Sequence, residues 1–231
     1  MIEEDFETYL NITKNKLEIF LFDKKNYKNL YKDEFELKNE LNFIDLNILS
    51  KFLDNNIFKI EKLVGGFIKN IILIIESEKI FYLNIGIKKK NYENSVNKKY
   101  LENILTELKD LFRENYQEQH IMHIIINNYW INGKNYSLFV DGLNSDHLCL
   151  EVNFTSIPNE IVFIFDKILE KYQIKINQYM DGIYISNLFK GKNLETPVMA
   201  DKIKNGFNEN EIALVPKNIK NKGFFEKFFQ L

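Results

Sequence analysis

Four residues of the 231-residue chain pair reactive chemistry with suggestive spacing: His120 with His123, and His147 with Cys149. Two histidines three apart would share a metal ion on a helix, where such positions are neighbours. Here they lie along the strand-like apolar run IMHIII, residues 121–126. Residues three apart on a strand face opposite sides. A shared ion is therefore not expected, and each histidine is read as satisfied or solvent-exposed. His147 and Cys149 share a strand face, as a nucleophile and its base could. No third, orienting group accompanies them, and a buried cysteine acting as a small apolar side chain is the plainer reading. The glycine pair Gly65-Gly66 follows a predicted helix, whereas phosphate-binding loops place glycines before one. It is read as a helix stop, and Asp141-Gly142 as a turn. With no nucleotide-loop, kinase, deaminase or hydrolase motif present, the chain is expected not to be an enzyme.

Those positions are held by a pattern of strands and helices. Leu17 to Phe22 reads as a strand, followed by a turn over Asp23 to Asn29 and a second strand near Phe35 to Leu37. Asp45 is placed to cap a helix with Leu46, Leu49, Leu53, Ile57, Ile60 and Val64 on its apolar side, ended by Gly65-Gly66. The run Ile71 to Ile75 reads as a strand buried on both faces. A strand at Ile80 to Ile87, a helix striped by Leu101, Ile104, Leu105, Leu108, Leu111 and Phe112, and strands at Ile121 to Ile126 and Leu148 to Phe154 follow. Pro158 opens a third helix through Tyr172. A short strand at Ile174 to Ile176 and a short helix from Asp181 to Phe189 close the periodic part. Residues 191–223 hold two of the three prolines and no sustained period, so they read as a linker.

Composition sets further bounds. A hydrophobic content of 45% suffices for a sizeable core. The formal net charge is −2, and Arg113 is the single arginine among 31 basic residues. Bidentate recognition of phosphate and guanine is mostly arginine chemistry, so nucleic acid is not an expected partner. Cys149 stands alone, which fits a reducing compartment and excludes a disulfide framework. The opening MIEEDFETYL is acidic rather than basic-then-apolar, and no run reaches the roughly 18 apolar residues of a spanning helix. Neither export nor membrane spanning is expected.

Three stretches carry a resemblance to a known family. YLNITKNKLEIFLFD (Tyr9 to Asp23) looks like an opening strand pair. NFIDLNILSKFLDNNIFKIEKLVGGFIKNIILIIE (Asn42 to Glu76) looks like a first long helix with its following strand. The segment from Val96 through IMHIIINNYWINGKNY to QIKINQYMDG, ending at Gly182, looks like an inserted subdomain with the return of the chain. Together they resemble the bacterial cell-division protein FtsA, an actin-like membrane anchor of the division ring. The resemblance implies an α+β fold: a partial actin-like, ribonuclease H-like first half with an inserted SHS2-type subdomain, an irregular tail and a short C-terminal amphipathic helix. The expected organisation is residues 1–79 as the actin-like part, 80–172 as the SHS2-like insertion, 173–190 as the return, 191–223 as linker and 224–231 as the amphipathic segment.

Two departures from that family bear on function. Its first phosphate motif carries an Asp and a Gly where this chain has Asn11 and Thr13. An amide does not replace a carboxylate towards a metal-nucleotide, and a side chain at Thr13 obstructs phosphate. The second actin-like half is also replaced by about thirty irregular residues. No catalytic, cofactor-binding or metal residue is therefore expected, and no cofactor. The family's C-terminal membrane helix has a counterpart in GFFEKFFQL. At 100° per residue, Phe224, Phe225, Phe228, Phe229 and Leu231 span an arc of about 160°. Lys217, Lys220, Lys222 and Lys227 supply nearby positive charge suited to anionic lipid.

The implied function is a non-enzymatic divisome adaptor, cytoplasmic and peripheral on the inner face of the membrane. It would contact division proteins, or itself, through the SHS2-like part and lipid through the phenylalanine-rich end. The alternatives are an actin-like ATP-binding protein of pilus assembly or phosphotransfer, and a general protein-interaction module whose tail enters a protein groove. The tail phenylalanines could equally fold back onto the domain.

Overall fold

The computed structural model describes residues 5–37, 45–92 and 94–212. The chain divides into two compact units, Met1–Ile80 with Glu160–Asn205, and Phe81–Asn159 with Gly206–Leu231.

The first unit is built on a five-stranded sheet. Strands β1 (Phe6–Ile12), β2 (Lys16–Asp23) and β3 (Lys28–Glu36) form an antiparallel meander. Beside β1, β4 (Asn70–Ile75) runs parallel, and β11 (Lys175–Asp181) runs parallel to β4. The sheet order is β11-β4-β1-β2-β3. Every residue of β4 after Asn70 is buried, as a central strand covered on both faces requires. On one face, Tyr9, Phe20, Phe22, Ile72, Ile74 and Met180 pack with residues of α4 (Gly182–Leu188) and α5 (Thr196–Lys204). Against β2 and β3 lies α1 (Leu46–Val64), and the Tyr31 hydroxyl donates to the Asn56 carbonyl. The Tyr179 hydroxyl of β11 donates to Asp166 of α3 (Asn159–Glu170) at 3.1 Å.

Helix α1 begins and ends as its sequence specifies. Asp45 accepts from the backbone N–H groups of Asn47 and Ile48, and Gly65 closes the helix in the left-handed conformation at φ 69°. One expectation fails here: residues 191–212 are not a linker. Within them, α5 starts at Thr196-Pro197, a favoured helix opening. It buries Ala200 and Ile203 and is tied to β1 by the Glu7–Lys204 ion pair. Nine residues are too short a run for a helical period to stand out. The third helix also groups with the first unit, so the first stretch of the second unit ends at Asn159 and not near residue 172.

The second unit follows the order strand, helix, strand, strand: β5 (Phe81–Lys90), α2 (Lys98–Asn115), β7 (Gln119–Ile131) and β10 (His147–Pro158). Its sheet is antiparallel, in the order β5-β10-β7-β8, with β8 at Lys134–Tyr136. Two short strands, β6 (Ser95–Val96) and β9 (Leu143–Asn144), pair separately. The α2 stripe Leu101, Ile104, Leu105, Leu108 and Phe112 joins a core with Ile124, Leu150, Val152 and Phe154. Phe112 and Phe154 stack with ring centroids 4.8 Å apart. Asn132-Gly133, both at positive φ, turn β7 into β8, the conformation a two-residue hairpin demands.

Past Gly206 the chain adds an edge to this sheet. Ile126 N–H donates to the Asn210 carbonyl at 3.0 Å, and Ile212 N–H donates to the Ile124 carbonyl at 2.9 Å.

Candidate functional site

In the first unit, the carboxyl ends of β1, β4 and β11 stand side by side. Ile12 is in register with Ile75, and Ile75 with Asp181. In open sheets of parallel strands and helices this is the end at which ligands bind. Four polar residues gather there: Asn11 and Glu18 on the β1–β2 hairpin, Glu76 just beyond β4 and Asp181 closing β11.

Asn11 is buried, and its side-chain amide donates to Glu18 Oε2 at 2.9 Å. Glu18 is itself buried, with Lys16 Nζ at 2.9 Å from its other oxygen. The amide that replaces a carboxylate at the strand end is thus spent inward on a neighbouring acid. Thr13 is likewise satisfied within the hairpin, its hydroxyl at 3.0 Å from Asn15 Oδ1 and 3.3 Å from the Lys16 carbonyl. Asp181 is buried and caps α4 by accepting from Ile183 N–H at 2.9 Å. Gly182 is required for close packing: a Cβ there would meet Glu76 Cγ at 2.8 Å.

Burial, reinforced by the negative charge of Asp181, holds the Glu76 carboxyl above its usual range, against the opposing pull of Lys14 and Lys16. A carboxyl raised in the folded state binds more protons than in the unfolded chain once pH passes its ordinary value of 4.5. Stability therefore falls as pH rises from 4.5 through the raised value, and remains lowered above it. Glu76→Gln is expected to flatten that fall and to stabilise the protein at neutral pH. The gain is about 1 kcal/mol or less, because the group is partly screened by solvent. Thermal unfolding of both proteins between pH 4 and pH 8 checks this.

At the strand ends Glu76 and Asp181 stand beside Asn11, whose amide is turned inward to Glu18, and among the described residues no three His, Cys, Asp or Glu side chains are grouped to hold a metal ion. The sequence pointed to Asn11 and Thr13 at this end but not to Glu18, Glu76 or Asp181. The one local signal was the Asp181-Gly182 step between a strand and a helix.

The second unit places the remaining candidates. His123 is wholly buried, with Nδ1 at 2.7 Å from Glu211 Oε1, while His120 is exposed. The buried and the exposed ring lie on opposite sides of the strand, as positions three apart do. His147 and Cys149 lie on β10 at intermediate burial, facing Lys90 and Lys88 of β5 across the ladder. No orienting group beside them emerges: among the described residues His147 Nδ1 is buried without a hydrogen-bond partner. The proposed lipid-facing residues Lys220, Lys222, Phe224, Phe225, Lys227, Phe228, Phe229 and Leu231 lie outside the described residues. Among the described residues no helix is long and apolar enough to cross a membrane.

No protein-family model and no curated protein matches the sequence. Solved structures do resemble the fold. The PilM–PilN type IV pilus biogenesis complex aligns over 79% of this chain and 49% of its own, at 9% identity and a TM-score of 0.52. The cytoplasmic domain of EpsL, an inner membrane component of the type II secretion system of Vibrio cholerae, aligns over 78% and 58%, at 8% identity and a TM-score of 0.38. A Bacteroides thetaiotaomicron protein with an actin-like ATPase fold and unknown function aligns over 82% and 58%, at 12% identity and a TM-score of 0.33. The chain thus spans about half the length of the first and less than two thirds of the others. At these identities the likeness concerns fold alone, and only the first is close enough to carry it. The fold is mixed α+β and resembles that of the PilM–PilN complex. These likenesses do not single out FtsA.

Proposed function

We propose that the chain is a non-enzymatic, actin-like scaffold subunit of a pilus-assembly or secretion machine at the inner membrane, working through protein partners. The observation that carries this reading is the fold likeness to the PilM–PilN pilus complex. The Asn11–Glu18 contact supports it by leaving the end of β1 without an outward carboxylate for a magnesium–nucleotide. The strand-helix-strand-strand insertion is the SHS2-type element and the partner-binding part. Residues 224–231 give the subunit a weak, reversible lipid contact, strengthened when several copies assemble. The divisome adaptor is the second reading, and it rests on the sequence resemblance to FtsA.

Deletion of the gene separates the two. Loss of surface pili or of secretion with normal septation is the expected phenotype, and filamentation with intact pili would replace this reading with the divisome one. Calorimetric titration of the full chain with ATP and magnesium is expected to be flat. Saturable heat would contradict the non-nucleotide reading.

A further inference from the structure

Strand β5 is the outermost strand of its sheet, and among the described residues no strand lies beyond it. Lys90 is in register with His147, and one step further along the ladder Asn91 N–H donates to the Asp146 carbonyl at 2.7 Å. The ladder from Phe81 to Lys90 has no register shift, so the odd-numbered residues of β5 spend their backbone groups on β10. Asn84, Gly86 and Lys88 point theirs the other way. The Lys90 carbonyl fits this phase, since it accepts from the Tyr100 hydroxyl of α2 at 2.8 Å.

The apolar layer of the sheet is unfinished at the same border. Leu150, Val152 and Phe154 of β10 are at most 2% exposed, whereas their ladder neighbours Ile87, Ile85 and Leu83 are only partly buried. A glycine in mid-strand commonly marks a bulge or the close approach of another backbone. At Gly86 the register is unbroken, and a Cβ there would meet nothing within 4 Å. Nothing within the described chain asks for glycine at this place.

We infer that β5 pairs antiparallel with β5 of a second copy of this chain, about a two-fold axis at Ile85, so that two sheets become one. In that register Leu83 faces Ile87 of the partner subunit and Ile85 faces its own counterpart, which extends the apolar layer across the border. On the opposite face Tyr82, 48% exposed, lies beside Lys88 of the partner subunit, and Asn84 beside Gly86. Asn84 and Gly86 exchange backbone hydrogen bonds across the pair, twice by symmetry. Lysines on an edge strand discourage pairing, and here they occupy only the end of β5, residues 88–90. A parallel mate would set them against one another, whereas the antiparallel one sets Lys88 and Lys89 against Tyr82 and Phe81, so like charges do not meet. The strand is thus complementary to itself, as an isologous contact requires. A border of one strand is small, and the dimer is weak and reversible. The inference goes beyond the function proposed above, which names no contact between copies. It rests on β5 alone, so its failure would leave that reading standing.

The test is sedimentation velocity of the full-length protein at rising concentration, with a reversible monomer–dimer equilibrium as the expected result. Gly86→Pro removes an N–H that β10 does not use, so the thermal midpoint should hold while dimerisation weakens by about tenfold or more, through two lost backbone hydrogen bonds. Tyr82→Lys, which sets lysines side by side in the pair, should weaken it likewise, and adding Lys88→Glu should restore it. Both side chains are exposed, so this pair of variants reads the contact even if the proline disturbs folding. In a Cys149→Ser background, Ile85→Cys should form an interchain disulfide on mild oxidation. Asn84→Cys should not, because its own counterpart lies two residues off along the border, beyond disulfide reach. A monomer at every concentration would overturn the inference. So would a dimer indifferent to both Gly86→Pro and Tyr82→Lys, which would be made elsewhere, or crosslinking at position 84 equal to that at 85.

Discussion

Phe112→Ala should destabilise the second unit by about 3–5 kcal/mol, the range for removing a fully buried aromatic ring. Phe112 and Phe154 are each almost wholly buried and their ring planes are nearly parallel, 9° apart, so the truncation leaves Phe154 facing a void and also forfeits the ring contact. Tyr116, its ring centroid 5.1 Å from that of Phe112, loses its neighbour as well. Urea unfolding monitored by Trp130 fluorescence reads this unit, since Trp130 belongs to β7. Phe112→Leu, which keeps most of the volume, should cost clearly less. Equal losses for the two variants would show that ring packing is not what the helix contributes.

Glu211→Ala should cost about 1–3 kcal/mol by leaving the buried His123 nitrogen without its partner. The effect has a local signature. The segment that carries Glu211 is held to β7 by the Ile126 and Ile212 backbone hydrogen bonds, and to the residue after β8 by the Asn210 amide donating to the Ser137 carbonyl at 2.8 Å. Hydrogen exchange of the Ile126 and Ile212 amides should therefore accelerate more than that of Leu150, which lies in β10. Glu211→Gln, whose carbonyl can still accept from the ring N–H, should recover most of the loss. A full loss with Gln would mean that the charge of the pair, and not its hydrogen bond, holds the segment.

What could be read from the residues was whatever repeats at short range. The α1 stripe, its Asp45 cap and its glycine stop are all written within twenty positions, as are the α2 stripe and the unbroken apolar run of β4. Contacts set by strand register were not legible. Glu76 and Asp181 are brought together because β4 and β11 pair in parallel, and nothing local in either stretch encodes that partner. His123 and Glu211 are 88 positions apart, and the bridging segment that joins them comes from the polar stretch NENEI, which has no β-type alternation of apolar residues. Helix α5 was missed for a related reason: it is fixed in part by polar contacts, Lys204 to Glu7 and Tyr27 to Asp201, that no periodicity reveals. Asn11 and Thr13 could be singled out through the family resemblance. Their inward hydrogen bonds came only from the hairpin geometry.

The route of the chain at Gly206 constrains how such a protein could be assembled by gene rearrangement. Joining Ile80 directly to Glu160 would excise the inserted element and leave the five-stranded sheet with all its strands. The reverse transplant is not self-sufficient. A fragment encoding 81–159 carries the helix and the long strands but lacks the border that Asn210 to Ile212 lays along β7. Moved to a new host it would display bare amide and carbonyl groups over Ile124 to Ile126, an invitation to aggregate unless a substitute strand came with it. The second unit is therefore stitched from two separate stretches of the chain, and any transfer of it must carry both.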